Sequence, residues 1–327
     1  MKKWTFGVDL GGTEIKFGLF DDSLQKHWSI PTNRQNQGAF ILEDIAKEIK
    51  KKCEEYGITV DALNGIGIGV PGPVLEDNVV KHCINLGWPR VAVGAELSSL
   101  LADQFDCEPE SIKVRVGNDA NVAALGEMWL GGGKEHKSIV MVTLGTGVGG
   151  GVVINGKILS GAFGGAGEVG HILCVDEDDV VGRCGCGHKG CLEQIASATG
   201  IVNYAKRYLE QASEISVLRN TLEIHGDLTA KDVLDAAKDG DMAAVRIMDK
   251  VFMYLGKAFA VISDVVNPEC MLIGGGVSAA GEYLRAGIEK YFKVYVFAGS
   301  EDTPIRLATM GNQAGIAGAA YMIISEK

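Results

Sequence analysis

The chain has 327 residues, 46% hydrophobic and 22% charged, a globular composition with material for two domains. Its net charge of −11 and the lack of any Lys/Arg-rich run exclude nucleic acid and an anionic membrane surface as expected partners. With no sustained apolar segment in MKKWTFGVDLGG and glycines breaking the uncharged run Ser138–Gly156, neither signal peptide nor membrane span is expected, and the eight cysteines read as cytoplasmic thiols or metal ligands rather than disulfides.

Residues 4–10, WTFGVDL, read as a buried strand, and 15–20, IKFGLF, as its partner after a Gly-Gly-Thr turn. In DLGGTEIK (9–16), Gly11 and Gly12 lack Cβ, so phosphate oxygens can approach backbone amides. Thr13 can donate a hydroxyl, Asp9 can hold Mg²⁺ directly or through water, and Lys16 can balance charge. The plainer reading is a β-hairpin with an acid beside its turn. Residues 39–56 show helical spacing of Phe40, Ile41, Ile45, Ile49 and Cys53. NGIGIGV (64–70) is a strand that ends in the rigid turn Pro71-Gly72-Pro73, and IKVRVGN (112–118) is the next strand. GNDANVAALGE (117–127) then sets Asn118 and Asp119 where a strand meets a helix over 119–130, a favoured ligand position in α/β folds. Asp119 can accept a proton from a substrate hydroxyl and Asn118 can bond the same group, or the pair merely caps the helix.

VTLGTGVGGGVVI (142–154) repeats the strand, glycine turn and strand of residues 8–20, which points to two related α/β halves. Gly145, Thr146 and Gly147 would then face the first hairpin across a cleft near 117–119. Helices are expected around 198–212, 230–238, 241–266, 281–293 and 315–325. CMLIGGG (270–276) is a strand running into Gly274, Gly275 and Gly276, which could lie against an adenosine; each glycine cluster taken alone is equally a tight turn. The chain carries no G-x-x-x-x-G-K-[ST] and no G-x-G-x-x-G opening a helix at the first strand. The expected division is a smaller domain over 1–117, a larger one over 118–312, and a last helix, about 313–327, packing back on the first.

GEVGHI (167–172) supplies His171, and GRCGCGHKGCLEQ (182–194) supplies Cys184, Cys186 and Cys191. One imidazole and three thiolates suit tetrahedral Zn²⁺, and four protein ligands leave no water to activate, so the metal is structural. Gly185, Gly187 and Gly190 let the loop fold back on the ion. His188 is an alternative ligand, cramped inside the Cys186–Cys191 loop, and inert buried thiols are the competing reading. A His bound through one ring nitrogen can donate from the other. His171 could therefore reach a sugar oxygen, with Glu168 and Glu193 accepting sugar hydroxyls.

These motifs together resemble the ROK family of sugar kinases and repressors, on the actin-like, hexokinase-like ATPase fold. The resemblance spans essentially the whole chain. DLGGTEIK is similar to the family's first phosphate loop, GNDANVAALGE to its catalytic segment, VTLGTGVGGGVVINGKILSGAFGGAGEVGHI to its signature and CGCGHKGCLE to its zinc motif. It implies Asp119 as catalytic base, Asn118, Glu168, His171 and Glu193 as sugar ligands, and zinc on His171, Cys184, Cys186 and Cys191. It also implies that the turn at Pro71 and Gly72, with Asn85 and Trp88, closes over the sugar. The family's repressors carry an N-terminal helix-turn-helix, for which Asp9 leaves no room. The implied activity is transfer of the ATP γ-phosphoryl group, with Mg²⁺, to the 6-hydroxyl of glucose, with domain closure excluding water. An N-acetylmannosamine kinase or fructokinase, a non-catalytic sugar-sensing regulator, and a hydrolase or chaperone-type ATPase of the same fold are the alternatives. Polyphosphate is the alternative donor. A homodimer or homotetramer is the implied assembly.

Overall fold

The computed structural model describes residues 3–75 and 78–326. The chain divides into two compact units, Met1–Lys137 with Gly151–Gly167 and Thr309–Lys327, and Ser138–Gly150 with Glu168–Ala308. This differs from a division after residue 117. The helix that begins at Asp119 stays with the first unit because its small residues lie against other parts of that unit, as described below.

The first unit runs β1 (Trp4–Leu10), β2 (Glu14–Asp21), β3 (Ser23–Pro31), α1 (Ile41–Tyr56), β4 (Leu63–Val70), β5 (Val80–Cys83), β6 (Trp88–Val91), α2 (Val93–Phe105), β7 (Val114–Asn118) and α3 (Asp119–Leu130). Its main sheet has the order β3-β2-β1-β4-β7, with β1, β4 and β7 parallel and β2 and β3 antiparallel. β4 is apolar or glycine along nearly its whole length and almost entirely buried, as a central parallel strand requires. α1 turns Ile41, Ile45, Ile49 and Cys53 into the core at helical spacing. It stops at Gly57, whose left-handed backbone (φ 66°) lets its N–H reach the carbonyls of Cys53 and Glu54.

The second unit begins with β8 (Ile139–Leu144) and β9 (Val148–Ile154); β9 carries the chain back into the first unit, where β10 (Lys157–Ile158) pairs with it. It continues with α4 (Glu193–Ala196), α5 (Ala198–Gln211), α6 (Val217–His225), α7 (Ala230–Lys238), α8 (Met242–Val266), β11 (Cys270–Gly274), α9 (Glu282–Tyr295) and β12 (Ile305–Leu307). The sheet order is β10-β9-β8-β11-β12, with β8, β11 and β12 parallel. Each strand occupies the place its counterpart holds in β3-β2-β1-β4-β7, so the sequence repeat at 8–20 and 142–154 is a repeat of topology. No helix among the described residues is long and apolar enough to cross a membrane.

α10 (Ala314–Ile324) returns to the first unit and lies on β1, β4 and α3. It approaches backbone to backbone. A Cβ on Gly7 would strike the Ile316 carbonyl oxygen, one on Gly67 the Ala319 carbonyl oxygen, and one on Gly318 the Val122 carbonyl oxygen. Glu127 of α3 is fully buried, and its carboxylate accepts from the backbone N–H groups of Gly132 (2.8 Å), Thr309 (3.0 Å) and Met310 (2.7 Å). The segments that leave the first unit after α3 and re-enter it before α10 are thus held by one side chain.

Candidate active site

In the first unit the turn between β1 and β2 is closed by Gly11 N–H donating to Glu14 O (3.0 Å). Thr32 supports it from outside: its N–H donates to Thr13 O (3.0 Å) and its hydroxyl to Gly11 O (2.7 Å). Gly12 has nothing within 4 Å of where a Cβ would stand, and Thr13 is exposed, so the turn is open to a ligand. Asp9 sits opposite Lys16 in the β1–β2 register, with Lys16 Nζ 3.9 Å from Asp9 Oδ2. Burial pushes the Asp9 carboxyl up and Lys16 only partly offsets it. Gly315 of α10 lies against the same carboxylate, where a Cβ would stand 2.7 Å from Asp9 Cγ.

β7 delivers Asn118 and Asp119 to the start of α3. Asn118 is the N-cap, its Oδ1 accepting from the N–H of Ala120 (3.1 Å) and Asn121 (3.2 Å). Its Nδ2 donates to Gly72 O (3.1 Å), so capping and holding the Pro71–Gly72 turn are one residue's work. Gly72 needs its left-handed backbone there (φ 92°). Asp119 Oδ1 accepts from Ala120 N–H (2.8 Å), and the residue is half-buried in the helix's first turn, where negative charge is favoured. Trp88 differs from the expectation. It is a core residue whose Nε1 donates to Gly38 O (3.3 Å), while Asn85 is exposed.

In the second unit, one ligand atom each from His171, Cys184, Cys186 and Cys191 lies within 4.8 Å of the others. Three soft sulfur donors and one imidazole in that space fit a tetrahedral zinc site. The loop closes on itself through Cys184 N–H to His188 O and Gly187 N–H to Cys184 O, both 2.8 Å. Gly187 (φ 91°) and Gly190 (φ 94°) make the left-handed bends, whereas Gly185 has no positive φ. Burial raises the Cys184 thiol and pushes that of Cys191 up to about 12, while the backbone N–H and ring of His188 hold Cys186 down at about 6. His188 therefore acts beside the cluster, with its Nδ1 3.5 Å from Cys186 Sγ. His171 is two-sided: Nδ1 is 3.5 Å from Cys184 Sγ and Nε2 is 3.9 Å from Glu168 Oε2.

Glu193 bridges the cluster and the glycine loop. Its Oε2 accepts from Val148 N–H (3.0 Å), and its Oε1 is 3.7 Å from Cys184 Sγ. A Cβ on Gly147 would strike this carboxylate. Gly145 O receives Ala198 N–H (2.8 Å) and Thr146 O the Thr199 hydroxyl (3.2 Å), which docks the loop on the start of α5. A cavity of about 560 Å³ opens beside it, lined by Gly145, Thr146, Thr229, Lys231, Gly276 and Ala280 among others. Gly276 contributes to this wall. Gly274 does not: it is buried in β11 against Met141, and Gly275 (φ 82°) makes the turn over the Leu144 carbonyl. Sequence reading overlooked Thr229 and Lys231. The signal was present as a capping box, in which Thr229 and Asp232 exchange bonds at the start of α7. It also overlooked Gln194, whose Oε1 accepts from Gly190 N–H (2.9 Å) and whose Nε2 donates to Gly182 O (3.3 Å), bracing the cysteine loop.

Comparison with known proteins finds relatives over the whole length of the chain. The chain is 41% identical over 325 residues to a glucokinase of Halalkalibacterium halodurans, covering 98% of this chain and 95% of that one. It is 30% identical over 332 residues to an N-acetyl-D-glucosamine kinase of Yersinia enterocolitica, covering 98% and 99%. The fold matches the crystal structure of a ROK family glucokinase from Streptomyces griseus in complex with glucose and AMPPNP, at a TM-score of 0.72 and 30% identity over 98% of both chains. The ROK family model itself matches residues 5–326: the chain belongs to the ROK family.

Proposed function

We propose that this protein is an ATP-dependent glucokinase, transferring the γ-phosphoryl group of ATP to the 6-hydroxyl of glucose. Full-length likeness at 41% identity to a glucokinase supports the activity. The observation that carries the sugar reading is the two-sided His171. Its Nδ1 faces the thiols and its Nε2 faces Glu168, a polar edge suited to sugar hydroxyls.

Asp119 accepts the proton of the attacking hydroxyl, and Asn118 orients that hydroxyl. Glu168, His171 and Glu193 bind the remaining hydroxyls. His171, Cys184, Cys186 and Cys191 would hold Zn²⁺, whose part there would be structural, fixing the imidazole rather than supplying an activated water. The amides of Gly11, Gly12 and Thr13, and those of Gly145, Thr146 and Gly147, bind the phosphates. Asp9 and Lys16 lie by the MgATP phosphates, and the nucleoside occupies the cavity between Thr146 and Gly276. Because phosphoryl transfer passes through a loose transition state, positioning and charge neutralisation outweigh base strength.

The test is a coupled assay of ADP release across hexoses and N-acetylhexosamines, run on the wild type and on Asp119→Ala. Glucose is the expected best acceptor, and the variant is expected to lose about 10²–10⁴-fold in kcat, the usual size of a general-base effect. Near-normal turnover in the variant removes Asp119 from the role. A preference for an N-acetylhexosamine favours the second reading, which the likeness to the Yersinia enzyme supports.

A further inference from the structure

The first unit contains a cavity of about 750 Å³ that none of the residues assigned above lines. Its apolar side is formed by Val116, Leu125, Met128 and the aromatic pair Trp129 and Tyr321, stacked with centroids 5.1 Å apart. Its polar side collects cations from the segment after α3 and from the β9–β10 hairpin, in a protein whose net charge is −11. Among the described residues that line it, the one acid, Glu326, is already occupied: Arg115 holds it through Nη2 at 2.9 Å, and Lys113 reaches it at 3.2 Å. Lys134 and Lys157 have side chains with no ion pair or hydrogen bond to any described residue. Between Lys134 and Lys137 stands His136, whose Nε2 is buried with no hydrogen-bond partner. Lys134 and Lys157 are exposed, so their ammonium groups are open to an incoming anion, and the imidazole of His136 stands unsatisfied on the same wall.

We propose that this cavity is a binding site for a small phosphomonoester, with Lys134 and Lys157 at the phosphate and the Trp129–Tyr321 pair against the body of the ligand. A volume of this size suits a small molecule rather than a peptide or nucleic acid strand. Ammonium groups on separate segments act as point charges, which suits a dianionic phosphate approached from several sides more than the planar fork of a carboxylate. Sugar phosphates and nucleoside monophosphates share this chemistry. The site involves no residue of the phosphoryl-transfer machinery, so it stands or falls separately from the reaction.

The test is titration calorimetry of the full chain with glucose 6-phosphate, AMP and inorganic phosphate, carried out with glucose and AMPPNP saturating. The expected result is binding of at least one organic phosphate, weakened about tenfold or more by Lys134→Ala with Lys157→Ala, as befits loss of two charge-assisted contacts. The unfolding midpoint and the affinity for glucose stay as in the wild type. Tyr321→Ala weakens the organic phosphate but not inorganic phosphate, and the tighter of AMP and glucose 6-phosphate identifies the source. Absence of binding by all three probes, undiminished binding in the double variant, or displacement of the probe by raising glucose or AMPPNP overturns the proposal.

Discussion

Asp9, placed at the MgATP phosphates in the proposed reaction, is a side chain set against stability. Its carboxyl is raised by burial, so the ionised form is less favoured in the folded protein than in the unfolded chain. For an acid shifted upward, the penalty exists at neutral pH and disappears as pH falls through the folded pKa. Asp9→Asn is therefore expected to raise the thermal unfolding midpoint at pH 7 while lowering kcat/KM for ATP; a lower midpoint would show that the charge stabilises the unit. Glycines divide similarly. Gly12→Ala has open space and is expected to fold normally with a higher KM for ATP, whereas Gly67→Ala drives a methyl into the Ala319 carbonyl and is expected to yield little folded protein. Circular dichroism and soluble yield separate the two. Sequence alone showed both as glycines. Only the position of α10 distinguishes a glycine with open space around it from one pressed against a helix.

At the scale of elements, most of the framework was legible. The strands at 4–10, 15–20 and 64–70 and the helices α1, α3, α5, α7, α8, α9 and α10 lie within a few residues of their expected spans. β3 was not, because as an edge strand it is largely exposed and polar, and Lys26 interrupts the alternation of Leu24, Trp28 and Ile30. α2 was overlooked although Val93, Leu97 and Leu101 stand at helical spacing and are buried. The cysteine loop was legible as a donor set, but not the role of Gln194 or the link from Glu193 to Val148, since long-range partners leave no trace in spacing. Cys184→Ser is expected to lose bound zinc and raise the KM for sugar with the fold partly kept; metal content and KM measured on the same sample check it, and a normal KM in metal-free protein contradicts the role given to His171. Glu127→Ala strands the N–H groups of Gly132, Thr309 and Met310. At ~1–3 kcal/mol for each orphaned donor, denaturant unfolding is expected to show a loss of at least about 3 kcal/mol, and Glu127→Gln, which keeps an acceptor, a smaller one.

Across the whole molecule, the repeat at 8–20 and 142–154 announced two halves of one plan, and the matching strand orders bear that out. The expected boundary did not follow from it, because strand patterns say nothing about which unit a connecting helix joins. Contacts decide that, and α3 is joined to the first unit by α10 and by Glu127. The return of residues 309–326 also has a consequence for biosynthesis. Everything needed for the second unit has been translated by Ala308, but the first sheet, though translated earliest, waits for α10 to cover Gly7 and Gly67. The N-terminal strands thus spend the translation of the entire second unit with an uncovered apolar face. Nascent chains stalled before residue 309 should therefore engage chaperones through their oldest, not their newest, segment.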